Sequence, residues 1–465
     1  MSDTSMAVSG GEKDVGFGSS IGRYRWVICA LLFFSTTFNY MDRQVISYLK
    51  DYIFCEPTAQ GGFGWSNKDF SFLTTAFTIF YGCMTLMMGW VIDRIGTKLG
   101  LALSLIFWSL CGMANAFVGQ LVTMHVMIRS AFAVGEAGNF PASIKTVAEW
   151  FPKRERALAT GIFNSGSNFG AMVAALVVPW ILISFSHDLG WKMAFILTGA
   201  SGFLWLIFWF WLYDTPHKQR RISKAEYDYI HIDDEGAAKA ATGEDKARLA
   251  WWKLFGYRQG WAFFFGKFMT DGIWWFYLFW LPDYLTKQFH MTTREVILPT
   301  FIVYGIAIVG SIYGGSIPLT LIKKGMPVYR ARMTAMFLIA LAPLAVLLTQ
   351  YFGDVDRFSG MAATLAVAMI SIGAAAHQAW SANLFTTVSD MFPKKAVGSV
   401  TGIGTTAGAI GGAIVQLLAG VLTDAFKSHP QTAYLIMFII CALSYLTAWG
   451  VMKMLVPQHK PITDL

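Results

Sequence analysis

Residues 150–171 read WFPKRERALATGIFNSGSNFGA, and residues 391–412 read MFPKKAVGSVTGIGTTAGAIGG. The two stretches align without a gap. Phe151–Pro152 matches Phe392–Pro393, Gly161 matches Gly402, and Gly170 matches Gly411. Each copy is a basic turn that runs into a glycine-rich apolar helix, so the chain reads as two duplicated halves. Two halves with a site between them is the layout of a rocking transporter. The same register sets Glu136 opposite His377 and Asn164 opposite Thr405, which places polar residues of the two halves at matched depths.

Composition agrees with that layout. Of 465 residues, 55% are hydrophobic and only 14% charged, where a soluble chain would carry about a quarter charged residues. Apolar runs of roughly twenty residues, the length that crosses a bilayer, fall near 24–46, 69–91, 99–118, 121–147, 156–184 and 191–213, then near 259–286, 296–321, 330–351, 358–388, 396–422 and 431–455. This predicts an all-α integral membrane protein of twelve spans in two six-helix bundles. The expected organisation is a tail over 1–20, a bundle over 21–213, a charged linker over 214–257, a second bundle over 258–455 and a tail over 456–465. The linker reads as a tether between bundles that move. Basic residues gather in alternate loops, at Arg94 and Lys98, at Lys153, Arg154 and Arg156, in the linker, at Lys323, Lys324, Arg330 and Arg332, and at Lys394 and Lys395. The positive-inside rule then puts both termini and the linker in the cytoplasm. The net charge of +8 is therefore a topology signal, and no nucleic-acid partner is expected. Five cysteines without CxxC or Cys/His spacing suggest neither a disulfide framework nor a metal site.

The fourth span, within QLVTMHVMIRSAFAVGEAGNFPASIKTVAEWF (120–151), holds Arg129, Glu136 and Asn139. A charged side chain at mid-span costs roughly 2.5–3.5 kcal/mol on insertion scales, so it implies a partner or a pathway. Arg129 and Glu136 stand about two turns apart on one helix face, and the small residues between them let another helix or a ligand come close. The first span ends FNYMDRQVIS, with Tyr40, Asp42 and Arg43. Adjacent acid and base on a helix point about 100° apart, so they do not satisfy each other. Asp42 is expected to need a cation such as Arg129, and Arg43 an anion. Snorkelling of both to the interface is the plainer alternative.

The second span ends GWVIDRIGTKLG, a G-x-x-x-D-R-x-G-x-K pattern made by Gly89, Asp93, Arg94, Gly96 and Lys98. A carboxylate at a helix end beside two cations can lock helices in one conformation and release them in another. The counterpart GGSIPLTLIKKGMPVYRAR keeps Gly315 and the bases but lacks the aspartate. The five-residue pattern is the signature of the major facilitator superfamily, which the sequence resembles over nearly its whole length. The Tyr40/Asp42/Arg43 stretch, RSAFAVGEAGNFPASIK, the 150–171 stretch, AHQAWSANLFTTVSDMFP and WWFYLFWLPDYL together resemble the anion:cation symporter family within it, and its bacterial hexuronate transporters in particular.

That resemblance implies a proton-coupled symporter of the bacterial inner membrane that imports glucuronate or galacturonate. A related aldonate or other organic anion is the alternative. It implies Asp42 and Glu136 as proton carriers and Arg43 and Arg129 as binders of the substrate carboxylate. Sugar hydroxyls are expected at Tyr40, Tyr81, Asn164, Ser167 or Asn168, His377, Trp380 and Thr405, with Gln378 and Asn383 as further candidates. Sugar-acid relatives can carry a glutamine where this chain has Ser167. Trp274 and Trp275 are read either as part of this wall or as interface anchors. A monomer driven by the proton gradient, without other cofactors, is expected. The chain carries no P-loop, HExxH or GxSxG pattern, so an enzyme is disfavoured, and no signalling domain supports a receptor.

Overall fold

The computed structural model describes residues 22–232, 251–392, 394–458, 460 and 462. Among them, twelve helical rods follow one another. The first half holds α1 (Tyr24–Leu49), α2 (Asn67–Ile95), α3 (Thr97–Ala114), α4 (Val122–Glu136, resuming as Asn139–Trp150), α5 (Lys153–Ser184) and α6 (His187–Leu212). The second holds α7 (Arg258–Phe289), α8 (Ile297–Lys323), α9 (Val328–Leu341, continued by a 3-10 segment Ala342–Leu348 and an α-turn Thr349–Phe352), α10 (Ala362–Met391), α11 (Lys394–Ala425) and α12 (Pro430–Leu455). Among the described residues, eight helices are long and apolar enough to cross a membrane by length and composition. The rods α1, α4 and α7 carry buried charged side chains.

The repeat is visible as packing. Helix α5 lies along α1, and α11 lies along α7. At Gly170 an added Cβ would collide with the carbonyl oxygen of Thr37, and at the matching Gly411 it would collide with that of Phe268. Both sequence halves thus use the same glycine to bring two backbones together. Gly411→Ala is expected to lower the unfolding temperature in detergent, because overpacking a tight site costs about 1–3 kcal/mol. Gly161→Ala, where nothing lies within 4 Å of the added atom, serves as the neutral control.

Two faces of the molecule are distinguishable. One bears the α1–α2 connection. The other bears the start of α1 and the short linker helix Lys224–Ile230, since Tyr24 donates to the Leu212 carbonyl (2.6 Å) and Arg25 pairs with Glu226 of that helix (3.2 Å). Tyr229 of the same helix donates to Glu155 at 2.6 Å. The first part of the linker is therefore docked on the N-terminal bundle. The segment 233–250 lies outside the described residues.

Candidate functional site

Four charged side chains from two helices meet inside the N-terminal bundle. Arg43, Arg129 and Glu136 have no exposed surface, and Asp42 has almost none. Helix α4 shapes the site. Pro141 lacks the N–H for a bond to Ala137 and its ring crowds that carbonyl, so the helix is interrupted at 137–138 and Glu136 ends its first segment. Gly135 and Gly138 then let α3 come within backbone contact. An added Cβ at Gly135 would fall 2.7 Å from the Trp108 nitrogen. Asn139, just past the break, accepts from the Ser35 hydroxyl (2.6 Å) and donates to Thr36 (3.2 Å), so it fastens α4 to α1.

The charge pairing differs from the expected one. Glu136 binds Arg43, with Nε to Oε2 at 3.0 Å, and does not pair with Arg129. Arg43 also donates to the Asn39 side-chain oxygen at 3.1 Å. Its guanidinium lies 4.2 Å from the Tyr40 ring centroid and 4.6 Å from that of Tyr81, and Phe77 and Trp275 stand at 5.2 Å. Arg129 spends one nitrogen on the backbone carbonyl of Arg43 (2.7 Å) and rests against Phe77 and Phe132. Its Nε and Nη1 have no hydrogen-bond partner among the described residues, and the same holds for Arg43 Nη1, Glu136 Oε1 and Asp42 Oδ1. Asp42 accepts from the Trp108 indole at 3.2 Å and has no ion-pair partner among them. The expectation that Asp42 takes Arg129, or that Asp42 and Arg43 snorkel to an interface, is thus replaced. The geometric reason is that Arg43 reaches across to α4 while Asp42, about 100° round the helix, points to α3.

The wall from the second half is aromatic. Trp275 of α7 meets the Phe77 and Tyr81 rings edge to face and covers Arg43. Trp274 lies parallel to His377 at 5.2 Å, and His377 shares a hydrogen bond with Tyr445 (2.8 Å). Both tryptophans are buried, so the interface-anchor reading fails for them. Trp380 is fully buried with its Nε1 unpartnered among the described residues. Gln378 donates to Asn168 across the two bundles at 3.1 Å. Ser167 and Thr405 spend their hydroxyls on their own helices, on Asn164 and Thr401 carbonyls, and Asn164 is exposed. Asn383 ties α10 to the Gly314 carbonyl of α8 (2.8 Å), a packing role. The structure therefore brings together Tyr40, Arg43, Tyr81, Arg129 and Glu136, with Asp42 at their back; His377 stacks on Trp274 of the facing wall, and Trp380 packs edge-on against Tyr445.

In the motif at the α2–α3 turn, Gly96 adopts a φ of +84°, which an L side chain resists. Lys98 pairs with Asp214 at 3.0 Å, a partner at the end of α6 in the same half, and Arg94 lies on the Trp90 ring at 3.7 Å. Space is open at Gly89. The Asp93 side chain lies outside the described residues.

Sequence reasoning missed a second charge network, at the α1–α2 face. Lys50 leads a π-helical turn after α1 (Lys50–Phe54), a rare bulge often found at functional positions. It is fully buried and donates to Asn67 (2.7 Å) and to Asp283 of α7. Asp283 also receives Lys287 at 2.7 Å and the Tyr434 hydroxyl. Asp424, near the end of α11, accepts from the Asn67 and Lys68 backbone N–H groups and the Asn67 amide at 2.9–3.0 Å. It caps the start of α2 from the other half of the molecule. Gln44 to Tyr304 (2.9 Å) and Ser47 to the Leu278 carbonyl (3.0 Å) continue this seam. The available signal was Asp283 inside a predicted span.

Comparison with known proteins gives the family. The Major Facilitator Superfamily model matches residues 32–416. The chain belongs to that superfamily. It is a multi-pass membrane transporter and not an enzyme. It is 28% identical over 445 residues to a hexuronate transporter of Escherichia coli, covering 95% of this chain and 96% of the relative. It is also 30% identical over 299 residues to a galacturonate transporter of Dickeya chrysanthemi, covering 63% and 81%. A D-galactonate transporter of Escherichia coli is 28% identical over 93% of this chain and 97% of its own length. Among solved structures, a D-xylose-proton symporter superposes with a TM-score of 0.71 at 16% identity, over 95% of this chain and 100% of that one. That likeness speaks for the fold alone.

Proposed function

We propose that the protein imports a sugar acid with one carboxylate, a hexuronate such as galacturonate or glucuronate, together with protons by alternating access. The observation that carries the reading is the pair of buried arginines. One is held by Glu136, while the other keeps two donors without a partner among the described residues. A guanidinium in a dry site binds a carboxylate in bidentate fashion, and buried donors left unmet are costly. The relatives named above transport hexuronate, galacturonate or galactonate by their names, and the galactonate relative keeps an aldonate as the second reading.

In this mechanism Glu136 and Asp42 carry the protons, Arg129 and Arg43 take the carboxylate, and Tyr40, Tyr81, His377 and Trp380 meet the hydroxyls and ring. Protonation of Glu136 releases Arg43, so proton and anion load together and the closed complex crosses near neutrality. The linker face and both termini lie in the cytoplasm of a bacterial inner membrane, and the monomer is the working unit. The Lys50–Asp283 and Asp424–α2 contacts hold the α1–α2 face closed and break when that side opens. Uptake of labelled galacturonate into proteoliposomes, with and without a pH gradient, tests the reading. Uptake that ignores the gradient, or none, rejects it.

Removing one member of a buried ion pair costs about 3–5 kcal/mol, because the other charge is stranded. Asp283→Ala is therefore expected to lower thermal stability in detergent markedly. Adding Lys50→Met should restore much of the loss, a non-additivity that reports their direct coupling.

A further inference from the structure

A further ion pair lies on α7, apart from both the Arg43–Glu136 cluster and the Lys50–Asp283 network. Lys267 and Asp271 stand four residues apart on one helix face, with Nζ and Oδ2 at 2.6 Å. The lysine side chain is 8% exposed and the aspartate 18%, so the pair is sunk in the bundle while the carboxylate keeps some access. Gly408 of α11 makes room for it, since an added Cβ there would strike the Asp271 carboxylate. The next turn of the same helix carries Trp274, stacked on His377, and Trp275, over Arg43. Asp271 thus lies about 6 Å along the helix from Trp275, on the linker side. An ion pair in a membrane span is expensive to keep for packing alone, and such residues line substrate paths.

We infer that the Lys267–Asp271 pair is the subsite for the end of the substrate opposite its carboxylate, and that it selects against a second carboxylate there. This deepens the sugar-acid reading and rests on it. With the first carboxylate on the arginines, the rest of a six-carbon chain runs along the wall of Trp275 toward Asp271. Asp271 accepts hydrogen bonds from terminal hydroxyls, and Lys267 keeps the pair neutral. A dicarboxylate sugar acid would set its second carboxylate against Asp271, and that repulsion excludes it. Replacing Asp271 by a neutral residue frees Lys267 to receive that same group.

The test is competition by galacturonate and by the dicarboxylate galactarate against labelled galacturonate in proteoliposomes. The native protein should prefer galacturonate at least tenfold. Asp271→Asn should narrow that ratio at least tenfold by gaining galactarate, and Lys267→Gln added to it should remove the gain. Asp271→Ser carries the same expectation should the asparagine variant not fold, judged by its thermal transition. A native preference for galactarate overturns the inference. So does an unchanged ratio in a folded Asp271 variant that still binds galacturonate. A native protein that binds neither acid overturns the hexuronate reading itself, and this subsite with it.

Discussion

Arg129→Ala is expected to abolish binding of the sugar acid while leaving the folded protein at least as stable as the native one. The reason lies in what Arg129 does without substrate. One nitrogen meets the Arg43 carbonyl, and Nε and Nη1 have no partner among the described residues, in a site with no exposed surface. A cation in that position has no ion-pair partner among the described residues and carries a desolvation cost. Its removal relieves that cost. A bound carboxylate, however, loses two charge-assisted hydrogen bonds of about 1.5–3 kcal/mol each, which weakens affinity by more than about a hundredfold. Arg129→Lys keeps the charge but not the planar fork and should fall between. Ligand-induced thermal shift reads both quantities at once, and a full shift in Arg129→Ala would place the carboxylate elsewhere.

The second large effect concerns Glu136. Glutamine there keeps the shape of a protonated glutamic acid but cannot release a proton. Glu136→Gln should end accumulation driven by a pH gradient, yet preserve exchange of labelled for unlabelled substrate across vesicles. In the native protein the Glu136 carboxylate neutralises Arg43 at 3.0 Å, and its glutamine replacement leaves Arg43 permanently available. Asp42→Asn is the informative companion. Asp42 touches the Trp108 indole and no cation within ion-pair distance among the described residues, so its proton is not exchanged against an arginine. If accumulation survives Glu136→Gln and fails only in Asp42→Asn, the coupling runs through Asp42 and the Glu136–Arg43 pair is structural.

Much of this was legible in the chain itself. Twenty-residue apolar runs set the rods, since backbone polar groups in lipid are satisfied only within a helix. The gapless match of 150–171 with 391–412 announced two equivalent halves, and its Gly170 and Gly411 are the points where α5 meets α1 and α11 meets α7. The cost of burying charge singled out Asp42, Arg43, Arg129 and Glu136. One signal present in the sequence went unused. Pro141, four residues after Ala137, marks the interruption of α4 beside Glu136.

Partner choice was not legible. A helix periodicity places Arg129 and Glu136 on one face, but the acid pairs with Arg43 because α1 crosses α4 at that height, and crossing depends on packing between remote segments. The same holds for Lys50 with Asp283, for Asp424 capping α2, and for Trp275 over Arg43. Composition along each span already marks the side chains too polar for lipid, a property of each helix taken alone. Which of them neutralise one another, and which arginine keeps donors to spare, follows from how the helices cross, because an ion pair within a few ångströms joins side chains that lie far apart along the chain.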